Sequence, residues 1–279
     1  MATDLSSNNL FVDDNRDDND KTVVFYDNIK LLYESRNSEF RLFTAKRNRE
    51  KCVIKAVKEN LANDKTCQEW LQKEYEIESS LSHAGVCKVL SYENIDNLGE
   101  CIVMEYIEGQ TLAQKIQHCD LSRDDIMNIL SELCDVLSFV HRKGFVHRDL
   151  RPENIMITNN GNHVKLIDFG IPGVDYNEAL DIPDGILDYT APEIINGNKI
   201  VDHCADIYSI GRLLEYLDRK AGLPERCMKI AKKCIQLNRE DRYSSADAVK
   251  KAIKKPFSWL WIAGIIIVVA FVLGVLNPF

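Results

Sequence analysis

His147-Arg148-Asp149-Leu150-Arg151-Pro152-Glu153-Asn154, with Asp168-Phe169-Gly170 fourteen residues after Asn154, carries most of the meaning of this 279-residue chain. Asp149 supplies a carboxylate that can take a proton from a hydroxyl. Asn154 and Asp168 supply an amide oxygen and a second carboxylate, hard donors of the kind that hold magnesium. One Asp in a polar loop is ordinarily a turn former. Two separate runs that agree in composition, order and spacing ask for more than a turn.

Further landmarks stay in register. Downstream stand Ala191-Pro192-Glu193, then Asp206 in Ala205-Asp206-Ile207-Tyr208-Ser209-Ile210-Gly211, then Arg242 in Asn238-Arg239-Glu240-Asp241-Arg242-Tyr243. Upstream stand Cys52-Val53-Ile54-Lys55, Glu74 ahead of Leu81-Ser82-His83, and Met104-Glu105-Tyr106-Ile107-Glu108-Gly109. Taken together, residues 23 to 253 resemble the eukaryotic-type protein kinase superfamily, serine/threonine-like.

That resemblance implies ATP and Mg2+ as cofactors and a role for each landmark. Lys55 would contact the α and β phosphates and be held by Glu74, while Glu105 and Ile107 lie in the hinge that meets the nucleotide. Asn154 and Asp168 would ligate the metal, and Asp149 would orient the substrate hydroxyl and accept its proton. Arg151 stands where serine/threonine kinases carry Lys; its planar fork can still bridge toward the transferred phosphate. Arg242 would pair with Glu193, and His147 would pack beneath the loop.

Composition sets limits on the function. A hydrophobic fraction of 45% with 28% charged residues is that of a globular chain, and a net charge of -8 argues against a general nucleic-acid binder. Nine cysteines, odd in number and without a CxxC pair, indicate reduced, buried thiols, neither a zinc site nor a disulfide framework. The adjacent pairs His118-Cys119 and His203-Cys204 lack the second pair that a metal site needs.

The ends differ from the middle. Residues 1 to 20 hold six Asp and few apolar side chains, which predicts a disordered acidic arm over 1–22. From Phe257 to Phe279 there is no charge, and Trp259 to Leu276 is an unbroken apolar run, long enough to cross a hydrocarbon core of about 30 Å. Lys250, Lys251, Lys254 and Lys255 precede it, with Trp259 and Trp261 at the same edge. The expectation is a tail anchor over 257–276, embedded in the lipid bilayer, with the preceding domain facing the cytosol.

Periodicity places the landmarks on elements. Alternation predicts strands over 23–33, 40–45 and 51–57, the last with Cys52, Ile54 and Ala56 on one face, and Asn48 suits the hairpin turn. A helix is predicted over 66–81, then strands over 86–92 and 100–106. Ser122 and Asp125 form a capping-box start, followed by apolar residues at helical spacing from Ile126 to Val140. Asp206 opens another helix, Pro224 a further one, and Ser245 to Ile253 the last. The fold class is therefore α+β and bilobal: an antiparallel small lobe over 23–107 and a helical large lobe over 108–255.

The chain departs from the family at several places. Ser35-Arg36-Asn37-Ser38-Glu39-Phe40 occupies the stretch where the resemblance calls for three glycines, and side chains there limit how closely backbone N–H groups approach phosphates. Glu78 falls where an apolar residue joins the stack linking the lobes, which predicts a loosened or differently set helix. Ile186 replaces a bracing Thr, and the stretch from Glu193 to Arg242 is short, which predicts a substrate-docking helix reduced or lost. Between Gly170 and Ala191 the only hydroxyls are Tyr176, Tyr189 and Thr190, so ordering by Asp181 or Asp184 rivals phosphorylation. The reading favoured by these residues is a tail-anchored kinase acting on serine or threonine hydroxyls of protein substrates. The alternatives are a membrane-tethered pseudokinase scaffold and a kinase-fold enzyme with a small-molecule or lipid acceptor.

Overall fold

The structure, a computed structural model, describes residues 10–11, 24–34, 39–118, 121–170, 189–196 and 201–254. The non-glycine positions 35–38, the segment with Tyr176, Asp181, Asp184 and Ile186, Cys119 and the apolar run 257–276 lie outside them. No helix among the described residues is long and apolar enough to cross a membrane.

Strands β3 (Phe40–Arg47) and β4 (Glu50–Val57) follow from period-two alternation, whereas β2 (Phe25–Glu34) buries Tyr26 and Ile29, three apart across a register shift between Asp27 and Lys30; Asn48 and Arg49 turn the β3–β4 hairpin at φ 50° and 75°. Such a left-handed pair suits the twist of two-residue hairpins. With β1 (Leu10–Phe11), β5 (Val89–Ile95) and β6 (Gly99–Glu105) they form an antiparallel sheet in the order β1-β2-β3-β4-β6-β5. Its edge strand β1 pairs with Tyr26 and Phe25. A two-residue strand therefore interrupts the arm read as disordered; the rest of that arm is outside the described residues. β5 starts three residues later than alternation predicts, because Gly85 to Cys87 is drawn to the large lobe: Cys87 N donates to Leu166 O and Leu166 N to Gly85 O.

Register sorts the sheet into two faces. Phe43, Ala45, Cys52, Ile54, Ala56, Cys101 and Val103 pack with Tyr26, Ile29 and Ile95 on the outer face. Leu42 pairs with Lys55 and Lys55 with Ile102, which puts these residues on the opposite face, toward helix α1 (Lys65–Ser79) and the cleft. Asp64 caps α1 through Thr66 N and Cys67 N. Its buried side carries Cys67, Leu71, Glu74 and Glu78.

Helix α3 (Arg123–Arg142) begins with the reciprocal Ser122–Asp125 capping box and buries Ile126, Ile129, Leu130, Leu133, Leu137 and Val140. It is the spine of the main core, against which pack α5 (Cys204–Ala221), α6 (Glu225–Cys234) and α7 (Ala246–Lys254). Short β7 (Gly109–Thr111), β8 (Ile155–Thr158) and β9 (Val164–Leu166) form a second, three-stranded sheet, α2 (Leu112–Gln117) follows β7, and α4 (Pro192–Ile195) begins inside the Ala-Pro-Glu run, capped by Ala191. At Gly211 a Cβ would come within 2.6 Å of Cys234 Cβ, so glycine is what lets α5 and α6 touch. Gly222 ends α5 in the left-handed region and α6 starts at Glu225. No helix intervenes, as the short spacing predicts.

Candidate active site

Two turns far apart in sequence are stapled together by main chain. His147 O accepts from both Asp149 N (2.9 Å) and Gly170 N (2.8 Å), and Asn154 O accepts from Ile167 N (3.1 Å). Arg148 and Asp168 take left-handed φ values of 68° and 56°, a backbone strain of the kind that persists where surroundings overdetermine it. For Arg148 the support is visible. The buried Asp206 carboxylate accepts from His147 N and Arg148 N, each at 2.9 Å, and pairs with His141 Nε2 at 2.7 Å. Burial disfavours the Asp206 charge, but His141 and these amides outweigh it and hold its carboxyl below the usual range. Asp206 thus sits in the first turn of α5, not at its cap, and its side chain orders the loop that carries Asp149. His147, fully buried and stacked on Phe169 at 4.5 Å, is pushed by burial toward its neutral form.

On the resulting platform, Asn154 Nδ2 donates to Asp149 O (2.9 Å) and Asp149 Oδ2 (2.7 Å). Flipping this amide would set oxygen against two oxygens, so its orientation is fixed and its carbonyl is the end free to meet a cation. Burial raises the Asp149 carboxyl to about 6, partly offset by Arg151 and the Asn154 bond. Arg151 Nε pairs with Glu153 at 2.7 Å, within its own loop.

Across the cleft, Lys55 Nζ donates to Glu74 Oε1 (2.5 Å) and Asp168 Oδ1 (3.0 Å). Burial works against its charge, and the Asp168 and Glu74 carboxylates more than compensate, raising it above the ordinary range. The helix expected to be loosened or differently set is thereby docked. Glu78 explains why: it is 2% exposed, and Oε1 accepts from Phe169 N at 3.3 Å, so a carboxyl occupies the place of the apolar residue and ties α1 to the Asp-Phe-Gly turn. Its Oε2 has no partner among the described residues. Burial, then Glu74, raise its carboxyl well above the usual range, which makes the neutral acid the form that fits.

The remaining expected residues divide. Glu105 ends β6, where its carboxylate is taken by Lys165 and by Lys88 N (2.8 Å) and its own N–H donates to Lys88 O (2.9 Å). Ile107 packs beside the cluster of Met104, Ile102 and Leu71. The Arg242–Glu193 pair forms at 2.6 and 2.9 Å, and Tyr189 packs edge-on to Tyr216. His203 Nε2 meets Ser244 O, and no metal-holding group of three His, Cys, Asp or Glu occurs among the described residues. Sequence reasoning missed the loop-ordering role of Asp206 with His141; the polar apposition depends on where α3 ends against α5, which no local pattern states.

Comparison with known proteins agrees with this geometry. The family profile described as protein kinase domain matches residues 26–220. The serine/threonine-protein kinase cds1 of Schizosaccharomyces pombe is 35% identical over 191 residues, covering 65% of this chain and 40% of that protein. The serine/threonine-protein kinase pkn3 of Myxococcus xanthus is 32% identical over 176 residues, covering 59% and 32%. The chain thus spans two fifths or less of the length of these relatives. The crystal structure of the Mycobacterium tuberculosis PknI kinase domain superposes with a TM-score of 0.64 at 21% identity, over 82% of this chain and 94% of that one, a likeness of fold.

Proposed function

The chain belongs to the protein kinase domain family, and from that premise we propose that it is an ATP-dependent kinase of serine or threonine hydroxyls in protein substrates. One observation carries this reading: a single buried ammonium, Lys55, is bonded at once to Glu74 of the small lobe and Asp168 of the large lobe, with Asp149 and Asn154 bonded to each other on the same stapled turn. A scaffold has no need of that convergence, which favours catalysis over the pseudokinase alternative.

The donor set fits Mg2+. Asp168, whose side chain is 32% exposed, and the oriented carbonyl of Asn154 are the groups that would hold it. The ion, when bound, neutralises phosphate charge. Lys55 offers its ammonium to the phosphates, held in place by Glu74. Asp149, raised toward neutrality, takes the hydroxyl proton as that oxygen bonds the γ-phosphorus and the β–γ bridging bond breaks, its electron pair leaving with ADP. Positioning and charge neutralisation provide most of the acceleration in such transfer.

We further infer that residues 257–276 anchor this domain to a membrane with its catalytic side cytosolic. The support is the uncharged apolar run and the four lysines before it. Alkaline carbonate extraction of membranes, with protease protection, tests this: a chain released into the soluble fraction overturns the anchor. For the activity, labelled ATP and general protein acceptors are incubated with the wild type, Asp149→Ala and Asp168→Ala. Phosphoserine and phosphothreonine are expected with the wild type alone. Label on protein that persists in both variants, or none from the wild type, would overturn the assignment, and label on a lipid or small molecule would establish the other acceptor class.

A further inference from the structure

Lys55 is more enclosed than its two ion pairs require. Only 8% of the residue is exposed, although Asp168, bonded to the same ammonium, leaves about a third of its side chain open. An aromatic ring also lies against the ammonium: the Phe40 centroid is 5.0 Å from Lys55 Nζ. Register puts it there. Phe40 opens β3 opposite Val57, two residues from Leu42 opposite Lys55, so all four share the cleft face of the sheet. The ring is further seated against the apolar cluster of Val57, Cys67 and Leu71.

A ring over a cation is attracted through its quadrupole, and the same negative face disfavours an approaching anion. Phe40 also ends the run Ser35–Phe40, where this chain carries side chains in place of the glycines that the family resemblance implies. We propose that Phe40 is an aromatic cap on Lys55 that sets the chain's affinity for nucleotide phosphates: a polyphosphate reaches the ammonium when the ring leaves it. This rests on the nucleotide-binding reading above. Phosphate affinity is then the intrinsic value reduced by the fraction of molecules with the cap displaced. Ligands without phosphates do not need Lys55 and are indifferent to the cap.

Calorimetric titration of the full chain, purified in mild detergent, tests this with MgATP and with adenosine. In Phe40→Gly the dissociation constant for ATP is expected to fall on the order of tenfold, the factor that corresponds to a capped population of about nine tenths, while that for adenosine stays unchanged. Phe40→Leu keeps bulk without the quadrupole and is expected to fall between the two. ATP affinity equal in wild type and Phe40→Gly overturns the cap and leaves the kinase reading standing. Equal tightening of ATP and adenosine also overturns it, because a wider cleft would then be the cause. Binding of neither ligand by any variant removes the nucleotide reading and the cap with it. If Phe40→Gly does not fold, Phe40→Leu decides: ATP tightened without adenosine upholds the cap, and no change in ATP refutes it.

Discussion

Two buried cations hold this molecule together, and they are surrounded in opposite ways. Arg242, with no exposed side-chain surface, meets Glu193 through both Nη atoms and gives its other N–H groups to the carbonyls of Gln236, Cys204 and Leu237. Five donors find five acceptors, one positive charge meets one negative charge, and the account closes. Lys55 sits among Glu74, Asp168 and Glu78, three carboxyls around one ammonium, and Glu78 Oε2 is without a partner. Completeness marks a structural clamp, and a surplus of acceptors beside a cleft marks a site built for ligand chemistry.

The largest effect is expected at the closed site. Arg242→Ala leaves Glu193 buried without its partner and should cost about 3–5 kcal/mol, a large share of the stability of any single domain. Arg242→Lys should recover little, since one ammonium cannot reproduce five directed donors. Urea titration of the variants checks both. A loss below about 1 kcal/mol would mean that a complete hydrogen-bond shell does not identify a structural charge.

At the open site the same kind of truncation should leave the fold and remove the chemistry. Asp149→Ala is expected to lower phosphate transfer by about 10²–10⁴-fold, the span of general-base catalysis, with a melting temperature no lower than that of the wild type. The acidity of Asp149 sharpens this. With its carboxyl raised to about 6, the base is ionised above that pH and protonated below it. The rate constant at saturating substrate should therefore level off above about pH 6 and fall about tenfold for each unit below it. An activity flat from pH 5 to 8 would remove Asp149 from the proton-transfer role.

The two sites were not equally legible in the sequence. Both ends of the closed site were, because Glu193 and Arg242 lie in runs with their own local signatures. In the open site Lys55, Glu74, Asn154 and Asp168 stand out in the sequence for the same reason, and the structure bonds Lys55 to Glu74 and Asp168 and Asn154 to Asp149. Glu78 was visible as an oddity that predicts a loosened or differently set helix, and the structure shows the second: its carboxyl accepts from Phe169 N and docks the helix. Protonation state is a property of the assembled surroundings, so no local pattern contains it. The Phe40 ring over Lys55 is likewise a matter of register across a hairpin, and the role of Asp206 depends on where α3 meets α5. Elements were readable from periodicity, and the Lys55–Glu74 and Arg242–Glu193 pairings from the resemblance, whereas the contacts made by Glu78, Phe40 and Asp206 were not.

The smallest expected effect tests that last point. Burial and the neighbouring Glu74 raise the Glu78 carboxyl well above its ordinary value of 4.5, so between that value and its folded-state value the native protein binds a proton that the unfolded chain has released. Stability then falls as pH rises through this window, by at most about 1.4 kcal/mol per unit, and the contribution is fully present only below the unfolded value. Gln at this position has the same shape and the same acceptor oxygen for Phe169 N, but it cannot ionise. Thermal melts of Glu78→Gln and wild type from pH 5 to 9, without nucleotide, should diverge with the variant increasingly the more stable as pH rises, and the variant should retain phosphate transfer. Parallel curves would mean that Glu78 is ionised in the fold, and that the surplus of negative charge around Lys55 is larger by one than the neutral-acid reading allows.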